Sequence, residues 1–435
     1  MPYLSPIYRT RDVLESALVI SSGIEQLRDH TSAAASPQRL VRSHWLTVVS
    51  HLDPRYGGLS SVVPQLSTRL ASTHPYTVDL AAFCEAGELY SPSNYPELTI
   101  SQWPTSRRVW VGNQPLRARF RSLVAAADGV HIHGVWEQST AIAAATARAL
   151  RKPYILSAHG MLETWALSNK RLKKYVYAAL FERANVRGAA CLHALTYAEA
   201  KDYRRFGATG PIAIIPNGVT IPATVDPFPF LSQFPALSGK KILLFLGRIH
   251  FKKGIDLLIE SWSQLSRTSP EAHLVLAGPD FAGTRARMEA LVAHKGLGST
   301  VHFTGMLRHE LKWSALAAAE AFVLPSYSEG LSVSVLEAMG MGLPVIVTEQ
   351  CNLPEVKELG AGWQVQSEVG PLTSALREFL SNSAQANAEI GRRGRHLVLT
   401  RYNWTTVSDR MAELYRWVEG GPRPNSVEIV AGRTL

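Results

Sequence analysis

The chain has 435 residues, enough for two domains of the usual roughly 100 to 200 residues each. With 46% apolar residues and no run near the ~20 needed to cross a bilayer, it reads as a soluble globular protein rather than a membrane-spanning one. The net charge of +10 is concentrated: residues 101–205 hold 17 Lys/Arg against 6 Asp/Glu.

The start, Met1-Pro2-Tyr3-Leu4-Ser5, lacks the basic region of a secretory signal. Cys84, Cys191 and Cys351 are scattered without metal-ligand spacing, so a reducing, cytoplasmic setting is expected. Residues 1–43 are rich in Ser, Ala and Arg with weak periodicity, and read as a poorly ordered extension or a peripheral helix. An N-terminal α/β domain then spans 44–221. It opens on the strand Leu46–Ser50 and continues through strand-like runs at 77–80, 129–133, 154–157 and 212–215, with helical patterns such as the Ala-rich 138–150 between them.

Within that domain, Asp53-Pro54-Arg55-Tyr56-Gly57-Gly58 lies between a strand and a helical run. Gly57 and Gly58 fit either an anion nest, where backbone N–H groups approach a ligand, or an ordinary turn. The basic stretch contributes Arg107, Arg108, Arg117, Arg119 and Arg121, with Trp110 and Phe120 among them. A second cluster, Lys170, Arg171, Lys173 and Lys174, shares a segment where Leu172, Val176 and Leu180 recur at helical spacing. Such a surface suits an anionic membrane, which would make the protein peripheral on its cytoplasmic face, or a solvated helix packed on the core. No recognisable nucleic-acid-binding module accompanies it, so nucleic acid is not an expected partner. His131 and His133 share one face of a strand, but no third metal ligand is apparent. His159 follows the strand at 153–158 and falls on the cleft side, or else serves as a capping or core histidine.

Pro222, Pro227, Pro229 and Pro235 mark 222–239 as a linker. A second α/β alternation fills 240–404, with strands at 241–246, 273–276, 301–304, 321–324 and 343–348. A helix at 405–420 and a Gly/Pro-containing tail at 421–435 close the chain. Two similar doubly wound domains facing a cleft is the expected architecture.

Strand 241–246 runs into Gly247-Arg248, followed by Lys253-Gly254 and a helix. Arg248 and Lys253 thus flank a strand end, suited to a diphosphate leaving group, with surface ion pairing as the plainer role. Glu329 and Glu337 bracket Gly330, Leu331 and Ser332 around a helix start, in a strand-loop-helix-strand context. The N-terminal N–H groups of that helix suit an anion, while each carboxylate, with Glu337 about two turns in, can accept hydrogen bonds from a polyhydroxyl group. A hexose and a ribose joined by diphosphate carry those features. No Asp-x-Asp triplet occurs, so the usual carboxylate pair for a sugar-nucleotide metal ion is missing; no metal and no cofactor are expected.

Taken in order, Gly57-Gly58, His131-Ile132-His133-Gly134-Val135-Trp136, His159-Gly160-Met161-Leu162, Ile215-Pro216-Asn217-Gly218-Val219, Gly247-Arg248 with Lys253-Gly254, and Glu329 with Glu337 resemble the family 4 retaining glycosyltransferases of GT-B fold. The resemblance spans Leu46 to Val418. It implies Arg248 and Lys253 on the donor diphosphate, Glu337 on the ribose, and Glu329 with Gly330, Leu331 and Ser332 at the donor sugar. It also implies His159 against the transferred sugar, Gly57 and Gly58 near phosphate and acceptor, and the backbone of Gly305 and Met306 against the base. His159 to Leu167 and Cys351-Asn352-Leu353-Pro354-Glu355 resemble members that build bacterial exopolysaccharide, capsule or O-antigen units on lipid-linked acceptors. Leu331-Ser332-Val333 stands where many members have Phe-Gly-Leu, so the donor sugar does not carry over. The expected activity is metal-independent transfer of a hexose, with retention, from a nucleotide diphosphate sugar to an acceptor hydroxyl on a saccharide or lipid-linked saccharide. A sugar-nucleotide epimerase or hydrolase on the same frame, and an inactive sugar-nucleotide-binding protein, are the rival readings.

Overall fold

The computed structural model describes residues 42–52, 58–84, 95–104, 113–163 and 177–432. The extension before Arg42, Gly57, Arg107, Arg108, Trp110 and the Lys170 to Lys174 cluster therefore lie outside the described residues.

Short runs build the sheets, and the apolar ones at the sheet centres are buried on both faces, as expected of parallel strands. The N-terminal sheet takes β1 Ser43–Val49, β2 Tyr76–Cys84, β3 Thr99–Pro104, β4 Gly129–His133, β5 Tyr154–Ser157, β6 Cys191–Ala194 and β7 Ile212–Ile214. They lie side by side in the order β3-β2-β1-β4-β5-β6-β7, each parallel to its neighbour. The C-terminal sheet takes β8 Lys241–Leu246, β9 Ala272–Ala277, β10 Val301–Gly305, β11 Ala321–Leu324, β12 Val345–Thr348 and β13 Gly362–Val365, in the parallel order β10-β9-β8-β11-β12-β13. Strand order reverses between β1 and β4 in one sheet and between β8 and β11 in the other. Loops leaving those strands splay apart and leave a crevice, so this topology alone directs the segments after His133, Leu246 and Leu324 toward a ligand.

Three features depart from the sequence reading. Within 222–239, Phe228–Gln233 forms a short helix, Phe230 is fully buried, and its N–H donates to Ser314 Oγ at 2.9 Å. The prolines suggested a spacer, but the apolar Phe228-Pro229-Phe230-Leu231 docks on the C-terminal domain. The tail adds a strand, β14 Glu428–Val430, antiparallel to β7 at the sheet edge. Strands β3, β6 and β13 were not anticipated either, being respectively polar, four residues long and four residues long.

The helix Trp404–Val418 returns to the N-terminal domain, where Tyr415 stacks on Trp45 with ring centroids 3.7 Å apart. Its hydroxyl ends a buried polar chain whose proton positions follow from chemistry. Ile215 O can only accept, so His193 Nε2–H donates to it at 2.8 Å. Burial holds His193 neutral, pushing its pKa down to about 4, so Nδ1 accepts from Ser157 Oγ at 2.6 Å. Ser157 in turn accepts from His131 Nε2 at 2.7 Å, and His131 Nδ1 accepts from the Tyr415 hydroxyl at 2.8 Å. Every member is satisfied in one direction only.

Tyr415→Phe keeps the stack but leaves the buried His131 Nδ1 without its donor. Urea denaturation should show a loss of about 1–3 kcal/mol, the cost of one unsatisfied buried acceptor.

Candidate functional site

At the C-terminal switch point, β8 ends at Leu246 and the chain turns through Gly247, Arg248 and a single turn of tight helix, Phe251–Lys253, before the helix Ile255–Ser263. Gly254 sits at φ +64°, and a Cβ there would lie 2.0 Å from Pro325 O. Only glycine lets this turn press on the loop after β11, which is why Lys253 and Glu329 meet. Lys253 Nζ bonds Glu329 Oε1, which also accepts from Ser326 Oγ at 2.7 Å. Asn352 Nδ2 donates to Glu329 O at 2.5 Å and fixes the loop from behind.

Glu337 lies at the fifth position of the helix Val333–Gly340, about one turn in rather than two, because the helix begins after Ser332. Its Oε1 accepts from Lys312 Nζ at 2.7 Å. Lys312 belongs to the helix His309–Ala318 and was not a candidate from sequence; no motif surrounds it, and only the fold brings it to Glu337. Ser332 makes no side-chain cap bond, so the first-turn N–H groups of this helix are not met by it.

These parts converge. A cavity of about 600 Å³ is lined by Gly58 from the N-terminal domain and by Arg248, Lys253, Met306, Lys312, Ser334 and Glu337, with Asp280 and Phe281 at its side. That volume suits a nucleotide-sized ligand. Arg248 lies 5.5 Å over the exposed Phe281 ring. The positive character registers on His250, whose pKa falls through burial and then through Arg248, Lys252 and Lys253. Gly58 has φ −61°, a conformation open to any residue, and its partner in the expected anion nest, Gly57, lies outside the described residues. Gly305 sits at φ +75° with its carbonyl bonded to Gly278 N–H at 2.8 Å, and Leu331 is buried in the C-terminal core; neither lines the cavity.

His159 comes from the opposite wall. After β5 the chain adopts φ +53° at His159, a left-handed conformation costing a non-glycine residue about 1–2 kcal/mol. Two side chains one helical turn apart on Tyr197–Phe206 hold it. Tyr203 Oη accepts from Ala158 N–H at 2.6 Å, and Glu199 Oε1 from Gly160 N–H at 2.7 Å. His159 Nε2 lies 2.9 Å from His133 Nδ1, within a set of histidines that burial keeps neutral. The turn meets the Glu329 loop directly: a Cβ on Gly160 would stand 3.2 Å from Gly330 Cα. His159 and Glu329 thus sit on touching loops of the two domains, next to the cavity that carries Arg248, Lys253 and Glu337.

Two doubly wound parallel-sheet domains meeting at a cleft that carries cations and paired carboxylates are the architecture of a GT-B glycosyltransferase. The comparisons agree: residues 57–218 match the glycosyl transferase 4-like domain, and residues 230–397 match glycosyl transferases group 1. The chain belongs to the family 4 glycosyltransferases, enzymes that move a sugar from a nucleotide-sugar donor to a saccharide acceptor. It is 24% identical over 386 residues to the GDP-mannose-dependent alpha-(1-6)-phosphatidylinositol monomannoside mannosyltransferase of Mycolicibacterium smegmatis, covering 85% of this chain and 97% of that one. To the GDP-mannose:cellobiosyl-diphosphopolyprenol alpha-mannosyltransferase of Xanthomonas campestris it is 22% identical over 384 residues, covering 86% and 97%. Among solved structures, sucrose-phosphate synthase from Thermosynechococcus elongatus superposes with a TM-score of 0.72 at 22% identity, over 87% of this chain and all of that one, which shows the shared fold. Among the described residues, no helix is long and apolar enough to cross a membrane.

Glu199 gives this site a pH signature. Burial, offset by its two backbone bonds and reinforced by Glu163 and Asp202, raises its pKa from 4.5 to about 7. An acid with a raised folded-state pKa holds its proton better folded than unfolded, so its contribution to stability falls as pH rises through that interval. The melting temperature of Glu199→Gln minus that of wild type should therefore grow more positive from about pH 5 to about pH 8. The histidines are common to both proteins and cancel in the difference.

Proposed function

We propose that the protein is a retaining hexosyltransferase that needs no metal ion and acts on a lipid-linked or growing saccharide in cell-surface polysaccharide synthesis. The observation that carries the donor side is the convergence of Arg248, Lys253 and Lys312 with Glu337 in one cavity. Arg248, Lys253 and the first turn of Val333–Gly340 take the diphosphate. Glu337, oriented by Lys312, takes the ribose hydroxyls, and the backbone near Met306 faces the base. The hexose then lies between Glu329, Gly330 and His159, with Gly57 and Gly58 toward the acceptor.

The chemistry follows from charge. As the anomeric C–O bond to the diphosphate breaks, negative charge gathers on the departing phosphate oxygen, and fixed cations in a partly dry cleft stabilise it. On a front-face route that oxygen takes the proton of the acceptor hydroxyl. The acceptor oxygen forms its new bond on the face the leaving group vacates, which retains the configuration. Three cations and a helix end supply the neutralisation that a metal ion provides elsewhere, in keeping with the missing Asp-x-Asp triplet. The Mycolicibacterium and Xanthomonas relatives are named for lipid-linked acceptors and GDP-mannose, which makes GDP-mannose the first donor to try. Such an acceptor would bring the N-terminal domain to a cytoplasmic membrane face. On the helix Gln114–Ala126, Phe120 and Val124 are buried while Arg117, Arg119 and Arg121 are exposed.

A thermal-shift screen of GDP, UDP, ADP and dTDP with their hexose conjugates should give one responding nucleotide series, by mass action on the folded state. Transfer with that donor should persist in EDTA and give a product with the donor's anomeric configuration by NMR. Glu337→Ala should mainly raise donor KM, and Glu329→Ala or His159→Ala should mainly lower kcat. Wild-type kinetics in both of the latter would overturn the assignment.

Sedimentation with vesicles rich in anionic lipid checks the membrane reading. Binding should fall when Lys170, Arg171, Lys173 and Lys174 are changed to Gln, and equal sedimentation of the variant removes that surface from consideration.

A further inference from the structure

The turn that carries His159 runs on to Glu163, and the Glu163 side chain leaves its own domain. Its backbone N–H donates to Gly160 O at 3.3 Å, closing the turn. Carboxylate oxygen Oε2 accepts from Ser328 Oγ and from Lys252 Nζ, the latter at 3.4 Å, both in the segments that follow β11 and β8 of the C-terminal domain. Oε1 is buried with no hydrogen-bond partner and rests on Gly160, where a Cβ would stand 3.1 Å away.

The two residues gripped are telling. Lys252 immediately precedes Lys253, and Ser328 immediately precedes Glu329. Tyr327 N–H donates to Lys252 O at 2.8 Å, so the two loops form one frame around the Lys253–Glu329 pair. A carboxylate whose side-chain partners all lie across the cleft does little for its own domain alone, and its unpaired oxygen is a cost to burying it. Its bonds are made when the domains are together.

We propose that Glu163 is a positioning residue for sugar transfer: by bonding Ser328 and Lys252 across the cleft it sets the His159 turn against the Lys253–Glu329 pair. This rests on the reading that the hexose lies between His159 and Glu329. Glu163 touches neither donor nor acceptor; it acts by favouring the closed arrangement and by fixing the gap between the two walls, where a misplacement near 1 Å can cost roughly 100-fold in rate.

The test uses the full chain with its responding donor: Glu163→Ala, Glu163→Gln, Ser328→Ala and the double Glu163→Ala/Ser328→Ala. Glu163→Ala should lower kcat about 10- to 100-fold with donor KM within about threefold. Ser328→Ala should lower kcat as well, and the double variant should be no slower than Glu163→Ala, the non-additivity of a direct contact. Glu163→Gln keeps an acceptor for Ser328 and should fall between wild type and Glu163→Ala. Small-angle scattering with donor present should give a larger radius of gyration for Glu163→Ala than for wild type. Additive losses in kcat, or a loss matched by a fall in melting temperature and recovered per folded molecule, would overturn the proposal in favour of a role in local folding. If wild type binds donor without transferring, the transfer reading fails on its own. Scattering then decides the latch, because equal radii would overturn it.

Discussion

Everything at the cleft depends on where the chain passes between its two domains. It crosses once after β7 and returns before the helix Trp404–Val418, and the two crossings touch: Val219 N–H donates to Tyr402 O at 2.8 Å, and Val219 bridges Asn403 in parallel. Two strands of linker tied together make one hinge. Both parallel sheets then present the carboxyl ends of their strands to the same space, and the segments that follow β8 and β11 face those that follow β1 and β5. The returning helix locks its end of the hinge through the Trp45 stack and the His131 bond, so the N-terminal domain is completed by the last part of the chain.

Within that frame the electrostatics are arranged in pairs. Glu329 and Glu337 are mostly buried and would be costly as lone carboxylates. Each is neutralised by a lysine, Lys253 or Lys312, while Arg248 lies over the Phe281 ring. The lysines thus serve two purposes: they orient the carboxylates, and they place positive charge where a diphosphate would lie on the proposed donor placement. On the proposed donor placement, incoming phosphate oxygens would compete for Lys253, and the ribose and hexose hydroxyls would replace part of what the carboxylates give up. Exchange of that kind makes site organisation depend on the whole donor rather than on its phosphates alone.

Much of this was legible in the sequence because its signals are local. The strand runs, the Arg248 to Gly254 turn, and the spacing of Glu329 and Glu337 each concern fewer than about ten consecutive residues, the range over which periodicity and turn chemistry speak. What escaped was tertiary. Lys312 stands 25 residues from Glu337, and Ser328 is 165 residues from Glu163. Glu199 and Tyr203 read as unremarked polar positions in a helix until the fold turns their shared face toward Ala158 and Gly160. The segment 222–239 misled because proline marks where a chain cannot continue a ladder, but not whether the residues between prolines are buried; Phe230 is. The β14 strand, three residues long, carries no pattern apart from its pairing with β7.

The two walls of the cleft are built to different standards of rigidity, and the difference suits their tasks. The His159 wall is over-determined: a strained backbone residue, flanked by two peptide N–H groups that each bond a buried side chain, backed by histidines with assigned hydrogen bonds. Strain of about 1–2 kcal/mol persists only where surrounding structure pays for it, and here a single helix, Tyr197–Phe206, provides both restraints. The facing wall is held by ion pairs among long lysine side chains, which have more rotamers and yield to a ligand. On the proposed donor placement, a rigid surface against the reacting sugar and an adaptable one against the nucleotide would let the donor be gripped as it arrives while the geometry at its anomeric carbon stays fixed.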